Sequence, residues 1–369
     1  MLKNDIDYKH KMSSLFNIST IWIFLVQLRE FLPQVFECST VLTLGIDCVQ
    51  FLHLLFWLQK RQYKLFPLCI FCVLSILLCI INMNILQMFN ILIVCLLLKD
   101  TNIKEIILQL FVTNIFLLIL YIFSLCMGDI NDVIVVMPKG EVHTLGFHNS
   151  NVASLFFLKQ ILITSLFFIE YVKLPLLNIP LLILSYIIYK FTVGRTFFYA
   201  EILYFFMIYV FKIKFFRNHF RWAYLSIPFI FYILTFASIF VGNKIPALNL
   251  FLTGRPFYYS KWLNNMSAIN FLAGIQIVDD PLDSMYMMFL FSGGIFFVFV
   301  FLLFYINGIK NISDKYMKNY MPFIICMLVA GFTENTVNGI NTLSIVFFCV
   351  LSKQFKLSNK RYKKIKKYI

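Results

Sequence analysis

The stretch "MYMMFLFSGGIFFVFVFLLFY", residues 285–305, decides the fold class of this chain. It carries no charged residue, and it matches the ~20 residues that cross the ~30 Å hydrocarbon core of a bilayer as a helix. Its apolar residues do not alternate with polar ones, as they would on a segment with one face in water. The stretch therefore predicts a membrane-spanning α-helix.

Similar apolar runs recur along most of the 369 residues, of which 61% are hydrophobic and 13% charged. They predict an all-α polytopic membrane protein, a single integral membrane domain over 1–369 with about 12 transmembrane helices. The sequence lacks the period-two alternation of a membrane β-barrel. The predicted spans are 15–32, 38–58, 66–82, 84–98, 106–127, 149–169, 174–191, 196–211, 223–241, 285–305, 320–333 and 338–352.

The basic residues predict the orientation of these spans. Most of the 32 Lys and Arg fall in loops on one side of the predicted bundle. Because cytoplasmic loops carry the excess of Lys and Arg, both termini are predicted to be cytoplasmic. The basic cytoplasmic tail, 353–369, either lies against anionic lipid headgroups or fixes the orientation. The net charge of +15 therefore does not require a nucleic acid partner.

Polar residues gather in the predicted outer segments, which are 128–151, "VGRTFFYAE" (193–201), the extracytoplasmic loop 242–284 between spans nine and ten, and "GFTENTVN" (331–338). Outer segments carry few basic residues, so Arg195 and Arg255 are informative. A planar guanidinium at headgroup level matches a phosphate or diphosphate bidentately. These two arginines are therefore candidates for binding such an anion.

The sequence leaves a second interpretation open for the charged candidates. Arg255 either binds an anion or pairs with a carboxylate of its own loop, such as Asp283. Asp283 is also a candidate N-cap of span ten. The alternative for Glu334 is an ordinary polar residue of a solvated turn.

The uncharged candidates carry similar alternatives. The aromatic residues after Arg255, including Tyr258 and Trp262, either anchor the interface or stack on sugar faces. His148 either contacts a ligand or hydrogen-bonds at a helix start. Asn149 is predicted to be the N-cap of span six, because its side chain can accept from free amides there.

Four motifs follow in order along the second half of the chain: "GFHNSN" (146–151), "LFLTGRPFYYSKW" (250–262), "LDSMYMMFLFSGGI" (282–295) and "TEN" (333–335). Their order resembles the Wzy-type polysaccharide repeat-unit polymerases of the O-antigen polymerase and ligase superfamily, over about residues 140–340. The chain departs from the family pattern at His148, Ser150 and Ser284. It also lacks the histidine that the ligases tend to place before span ten, which favours a polymerase.

The resemblance implies a GT-C-like architecture and a multi-pass enzyme of the bacterial cytoplasmic membrane. Its implied activity is polymerisation of polyprenyl-diphosphate-linked oligosaccharide repeat units into capsular, exo- or O-antigen polysaccharide on the outer face. The donor already contains the reaction energy, so the implied glycosyltransferase needs no nucleotide and no other cofactor. No metal is implied, because the predicted outer loops lack a carboxylate cluster apart from "DDPLD" (279–283). The implied partners are the lipid-linked oligosaccharide, the bilayer, and a flippase and a chain-length regulator of the same pathway.

The same resemblance suggests roles for the candidate residues. Arg255 first and Arg195 second would stabilise the departing diphosphate, and Asp283 ahead of Glu334 would be the general base for the acceptor hydroxyl. The predicted substrate-binding residues are His148, Asn149, Asn151, Tyr258, Lys261, Trp262 and Tyr286. A flippase or other carrier, or a ligase of the superfamily, is the alternative, although the two-fold internal repeat typical of carriers is not found.

Overall fold

A computed structural model describes residues 18–36, 102–137, 140–242, 244–252, 254–275, 283–337 and 341–353, together with residues 45, 49 and 98. The predicted spans 38–58, 66–82 and 84–98 lie outside the described residues apart from these single positions, as does the basic tail after residue 353.

The described chain is mostly helical. Its first helices are α1 (Ile18–Val35), α2 (Ile103–Met127), α3 (Ser150–Phe167, continued by a π turn at Phe168–Val172), α4 (Asn178–Thr192) and α5 (Arg195–Val210). They are followed by α6 (Lys214–His219), α7 (Arg221–Gly242), α8 (Pro246–Phe251), α9 (Arg255–Asn264), α10 (Ala268–Ala273), α11 (Met285–Asn311), α12 (Asp314–Ala330) and α13 (Thr342–Lys353).

Four of these helices are long and apolar enough to cross a membrane: α2, α3 with its π turn, α7 and α11. They coincide with the predicted spans 106–127, 149–169, 223–241 and 285–305, so the prediction of apolar helices there is confirmed. Helices α4 and α13 are apolar but shorter. By length and composition, the four long helices mark the chain as a membrane protein.

Successive long helices run in alternating directions, so their ends form two layers, one at each end of the helix bundle. At one layer Arg255 contacts Glu334, and Thr333 contacts Thr196. We call this layer, where α3, α5, α9 and α11 begin, the pocket end. At the opposite end Lys104 pairs with Glu170 at 2.6 Å.

The core of the bundle lies between α11, α12 and α13, where large aromatic side chains are fully buried. Phe301 and Phe347 stack with ring centroids 6.4 Å apart, and Phe323 of α12 is likewise inaccessible. This packing fixes the relative positions of the segments that reach the pocket end from α11 and α12.

A short β-hairpin follows α2 at the pocket end, and the all-α prediction did not include it. Strands β1 (Ile134–Met137) and β2 (Gly140–His143) pair antiparallel, with Ile134 opposite His143. Val142 is buried against the bundle, while Val136 on the other strand is exposed. The hairpin therefore covers one side of the pocket end.

The predicted loop 242–284 contains helices α8, α9 and α10, and α10 packs against the middle of α11. Helix α11 is interrupted at Gly294, whose φ of 67° and ψ of 177° only glycine adopts readily. A Cβ at Gly294 would lie 2.2 Å from the Leu272 carbonyl oxygen. The Ile275 amide donates to the Phe291 carbonyl at 2.6 Å, so the break in α11 accommodates α10.

Candidate functional site

A cavity of about 530 Å³ opens at the pocket end. Its wall is built from the first residues of α3, α5 and α9 and from the segments that precede α11 and follow α12. Four charged residues lie on this wall: Arg195, Arg255, Asp283 and Glu334. Segments far apart in the sequence therefore contribute charge to one concave surface.

Arg255 lies between the two carboxylates. Its Nη2 is 3.0 Å from Asp283 Oδ2 and 3.1 Å from Glu334 Oε1, and its Nε donates to Asp283 Oδ2 at 3.1 Å. The sequence left open whether Arg255 binds an anion or pairs with a carboxylate of its own loop, and the structure shows the pairing with Asp283. With both acids ionised, this cluster carries one net negative charge at the cavity wall.

Backbone contacts hold the three segments of this cluster in place. Gly254, at a φ of 78°, turns the chain into α9, so that Arg255 is the first helical residue. The Tyr259 hydroxyl accepts a hydrogen bond from the Ser284 amide at 3.2 Å. The Met285 amide donates to the Gly331 carbonyl at 2.9 Å, which ties the start of α11 to the turn that carries Glu334.

The surroundings of Glu334 raise the pKa of its carboxyl group. Burial of the side chain, which is 13% exposed, raises its pKa to about 7. The Arg255 charge opposes this shift, whereas the Asp283 charge adds to it. A carboxylate with this pKa exchanges protons near neutral pH, which suits a general base.

Arg195 is the first residue of α5, and its side chain is exposed on the cavity wall. Among the residues that the structure describes, none forms a hydrogen bond or an ion pair with its guanidinium. The preceding Gly194 packs closely, since a Cβ there would lie 2.1 Å from Ser154 Oγ. Ser154 Oγ also donates to Thr192 Oγ1 at 2.8 Å, and this contact joins α3 to the end of α4.

The N-termini of α3 and α5 both reach the cavity, at Ser150 and Arg195. The first amide groups of a helix have no intrahelical acceptor, and the helix dipole places partial positive charge there. Together with Arg195, these two helix starts make this side of the cavity positive. The part of the wall around Arg255 is negative, because Asp283 and Glu334 lie there.

Three predicted substrate-binding residues of "GFHNSN" have different surroundings in the structure. Asn149 caps α3, because its Oδ1 accepts from the Val152 amide at 2.9 Å, and this prediction is confirmed. His148 Nε2 lies 2.6 Å from the Pro33 carbonyl oxygen, a contact to α1. Asn151 lines the cavity.

The remaining predicted substrate-binding residues do not line the cavity. Tyr286 is fully buried, and its hydroxyl donates to the Leu328 carbonyl at 2.8 Å. Trp262 packs against the core, while Lys261 is exposed and Tyr258 is half-buried. For α11, the N-cap is Ser284 rather than the predicted alternative, Asp283.

Sequence reasoning missed the contact between Asp132 and His143 of the hairpin. Asp132 Oδ2 is 2.5 Å from His143 Nδ1, and the neighbour of His143, Val142, lines the cavity. The apolar run "VIVVM" followed by "PKG" and "EVH" is typical of a hairpin, so a hairpin prediction could have paired these residues.

Among the described residues, no group of three or more His, Cys, Asp or Glu side chains could hold a metal ion. The acidic sequence "DDPLD" falls outside this description except for Asp283.

Comparison of the chain with models of known families, with curated proteins and with solved structures found no match.

Proposed function

We propose that this chain is a Wzy-type membrane glycosyltransferase. It polymerises polyprenyl-diphosphate-linked oligosaccharide repeat units at the outer face of the bacterial cytoplasmic membrane. The observation that carries the proposal is the convergence of Arg195, Arg255, Asp283 and Glu334 on one cavity at the ends of membrane-length helices. Such a position suits a substrate with a lipid tail, a charged diphosphate and a sugar.

The charge distribution supports a specific orientation of the donor. Arg255 is already offset by two carboxylates, so its surroundings repel an anion when both acids are ionised. Arg195 has no such partner among the described residues, and two helix N-termini lie beside it. We therefore assign the diphosphate to Arg195 and the acceptor sugar to the Glu334 side.

The proposed reaction needs one bond to form and one to break. The acceptor hydroxyl oxygen attacks the anomeric carbon of the donor, and its proton passes to Glu334. The bond from that carbon to the diphosphate oxygen breaks, and the electron pair leaves with the polyprenyl diphosphate. Arg195 stabilises the negative charge that develops there, while Arg255 holds the two carboxylates in position.

Purified protein in liposomes, supplied with polyprenyl-diphosphate-linked repeat units, tests the activity. We expect polymer, with one polyprenyl diphosphate released for each linkage formed. Arg195→Gln should lower kcat by about 10²–10³, as for the loss of one electrostatic stabiliser. Lys190→Gln is the matched control, because it removes an exposed positive charge near Arg195 that does not line the cavity. Folded protein that makes no polymer, or an unaffected Arg195→Gln, would contradict the proposal.

A deletion strain separates the related functions. Loss of a polymerase leaves single lipid-linked units exposed outside the membrane, whereas loss of a flippase traps them inside. Loss of a ligase leaves full-length polymer on its lipid carrier. Single units on the outside are the expected result.

A further inference from the structure

A second polar cluster lies within the apolar bundle, apart from the cavity at the pocket end. Lys159 of α3 forms an ion pair with Glu30 of α1, and Lys159 is only 5% exposed. Lys159 lies about 14 Å along the helix axis from the first residue of α3, because an α-helix rises about 1.5 Å per residue. Charged side chains at such depth are costly and are retained for a specific contact.

Uncharged polar side chains join the ion pair to two further helices. Gln27 Nε2 donates to Asn114 Oδ1 at 2.7 Å, which connects α1 to α2. Thr342 Oγ1, at the start of α13, lies 3.3 Å from Glu30 Oε2 and 3.3 Å from Gln27 Nε2. Helices α1, α2, α3 and α13 therefore share one polar network.

This network is incomplete among the described residues. Gln27 Oε1, Gln160 Oε1 and Asn114 Nδ2 are buried there without a hydrogen-bond partner. The three residues are 1%, 7% and 3% exposed. A buried polar atom without a partner destabilises the folded protein, so a partner is expected for these atoms.

The missing partner has a place to bind. A void of about 10 Å³ is lined by Gln27, Asn114, Lys159, Gln160 and Glu30. This volume is close to the room that one water molecule needs, and buried waters make about three hydrogen bonds. The Lys159 ammonium disfavours a cation in the void, and the Glu30 carboxylate disfavours an anion.

We propose that one water molecule is bound in this void as part of the Glu30–Lys159 cluster. It donates to Gln27 Oε1 and Gln160 Oε1 and accepts from Asn114 Nδ2 or the Lys159 ammonium. The bound water completes the network that holds α1 against α2, α3 and α13. This inference is independent of the proposed enzymatic activity.

X-ray radiolytic labelling with mass spectrometry tests for the water. Hydroxyl radicals formed from a bound water oxidise the side chains next to it, even in a core that bulk water does not reach. Phe31 and Phe156 line the void, whereas Phe301 and Phe323 are fully buried and do not line it. We expect severalfold faster labelling of Phe31 and Phe156. Equal labelling of the two pairs would overturn the proposal.

A variant identifies the source of this labelling. Gln27→Leu combined with Gln160→Leu removes both acceptors, so labelling of Phe31 should fall to the rate of Phe301. Labelling that persists in this variant would also overturn the proposal. Should the double variant fail to fold, Gln160→Leu alone is measured, with the same expected direction.

Discussion

At the scale of single residues, the notable feature is that Asp283 and Glu334 share one guanidinium. Burial raises the pKa of Glu334 to about 7, the Arg255 charge opposes this shift, and the Asp283 charge adds to it. In the proposed reaction this balance sets the pH at which the base is available.

The activity of the protein should rise with pH through about 7, because Glu334 must be deprotonated to accept the proton of the acceptor hydroxyl. Glu334→Gln should lower kcat by about 10²–10⁴ and abolish this rise of activity with pH. Initial rates of polymer formation across the neutral pH range provide the measurement. An unchanged pH profile in Glu334→Gln would exclude it as the base.

The neighbours of Glu334 should move this pH midpoint in opposite directions. The Arg255 charge lowers the pKa of Glu334, so Arg255→Gln should shift the midpoint to higher pH. The Asp283 charge raises that pKa, so Asp283→Asn should shift the midpoint to lower pH. The same rate measurements, made on residual activity, compare the two variants. Shifts in the same direction would contradict the arrangement.

Sequence reasoning identified the two arginines as candidates because basic residues are few in the predicted outer segments, and the two carboxylates because the implied reaction needs a general base. It ranked Arg255 before Arg195, and Asp283 before Glu334. The structure-based proposal reverses both orders, since they depend on pairing and burial. Arg255 contacts Glu334, 79 residues away in sequence, and no local pattern predicts such a contact.

At the scale of elements, the break in α11 is the feature with the clearest physical cause. Gly294 combines a backbone conformation that other residues avoid with a close contact to the Leu272 carbonyl. The apolar run predicted the helix but not this interruption, because its cause is the packing of α10. The hairpin Ile134–His143 likewise depends on pairing that the helical interpretation did not consider.

Gly294→Ala should destabilise the protein by about 3 kcal/mol or more, because backbone strain of about 1–3 kcal/mol adds to the overlap with Leu272. Gly128→Ala is the control, since Gly128 also has a positive φ but no atom within 4 Å of its built Cβ. It should cost about 1–2 kcal/mol. Chemical unfolding in detergent measures both losses. Equal losses would indicate that α10 does not pack at Gly294.

At the scale of the whole molecule, the distribution of Lys and Arg predicts which end of the bundle faces the cytoplasm. Long apolar runs predict helices from local composition alone, and four membrane-length helices lie among the described residues. The common position of Arg195, Arg255, Asp283 and Glu334 at one end followed from the alternation of predicted spans. Their shared cavity could not be predicted, since it requires the packing of α3, α5, α9 and α12.

The pocket end should face away from the cytoplasm. A cysteine introduced at Lys261, which is exposed, should react with a membrane-impermeant maleimide in intact cells. A cysteine at Lys318, near the start of α12, should react only after the cells are opened. The reverse pattern would place the cavity on the cytoplasmic side and exclude transfer at the outer face.

A structure of the protein in a lipid nanodisc with a bound polyprenyl diphosphate tests the central claim most directly. We expect the diphosphate in the cavity, with a phosphate oxygen within hydrogen-bond distance of the Arg195 guanidinium and the lipid tail directed into the bilayer. Arg255 should remain paired with Asp283 and Glu334. A diphosphate bound at another surface, with the cavity closed to it, would contradict the account.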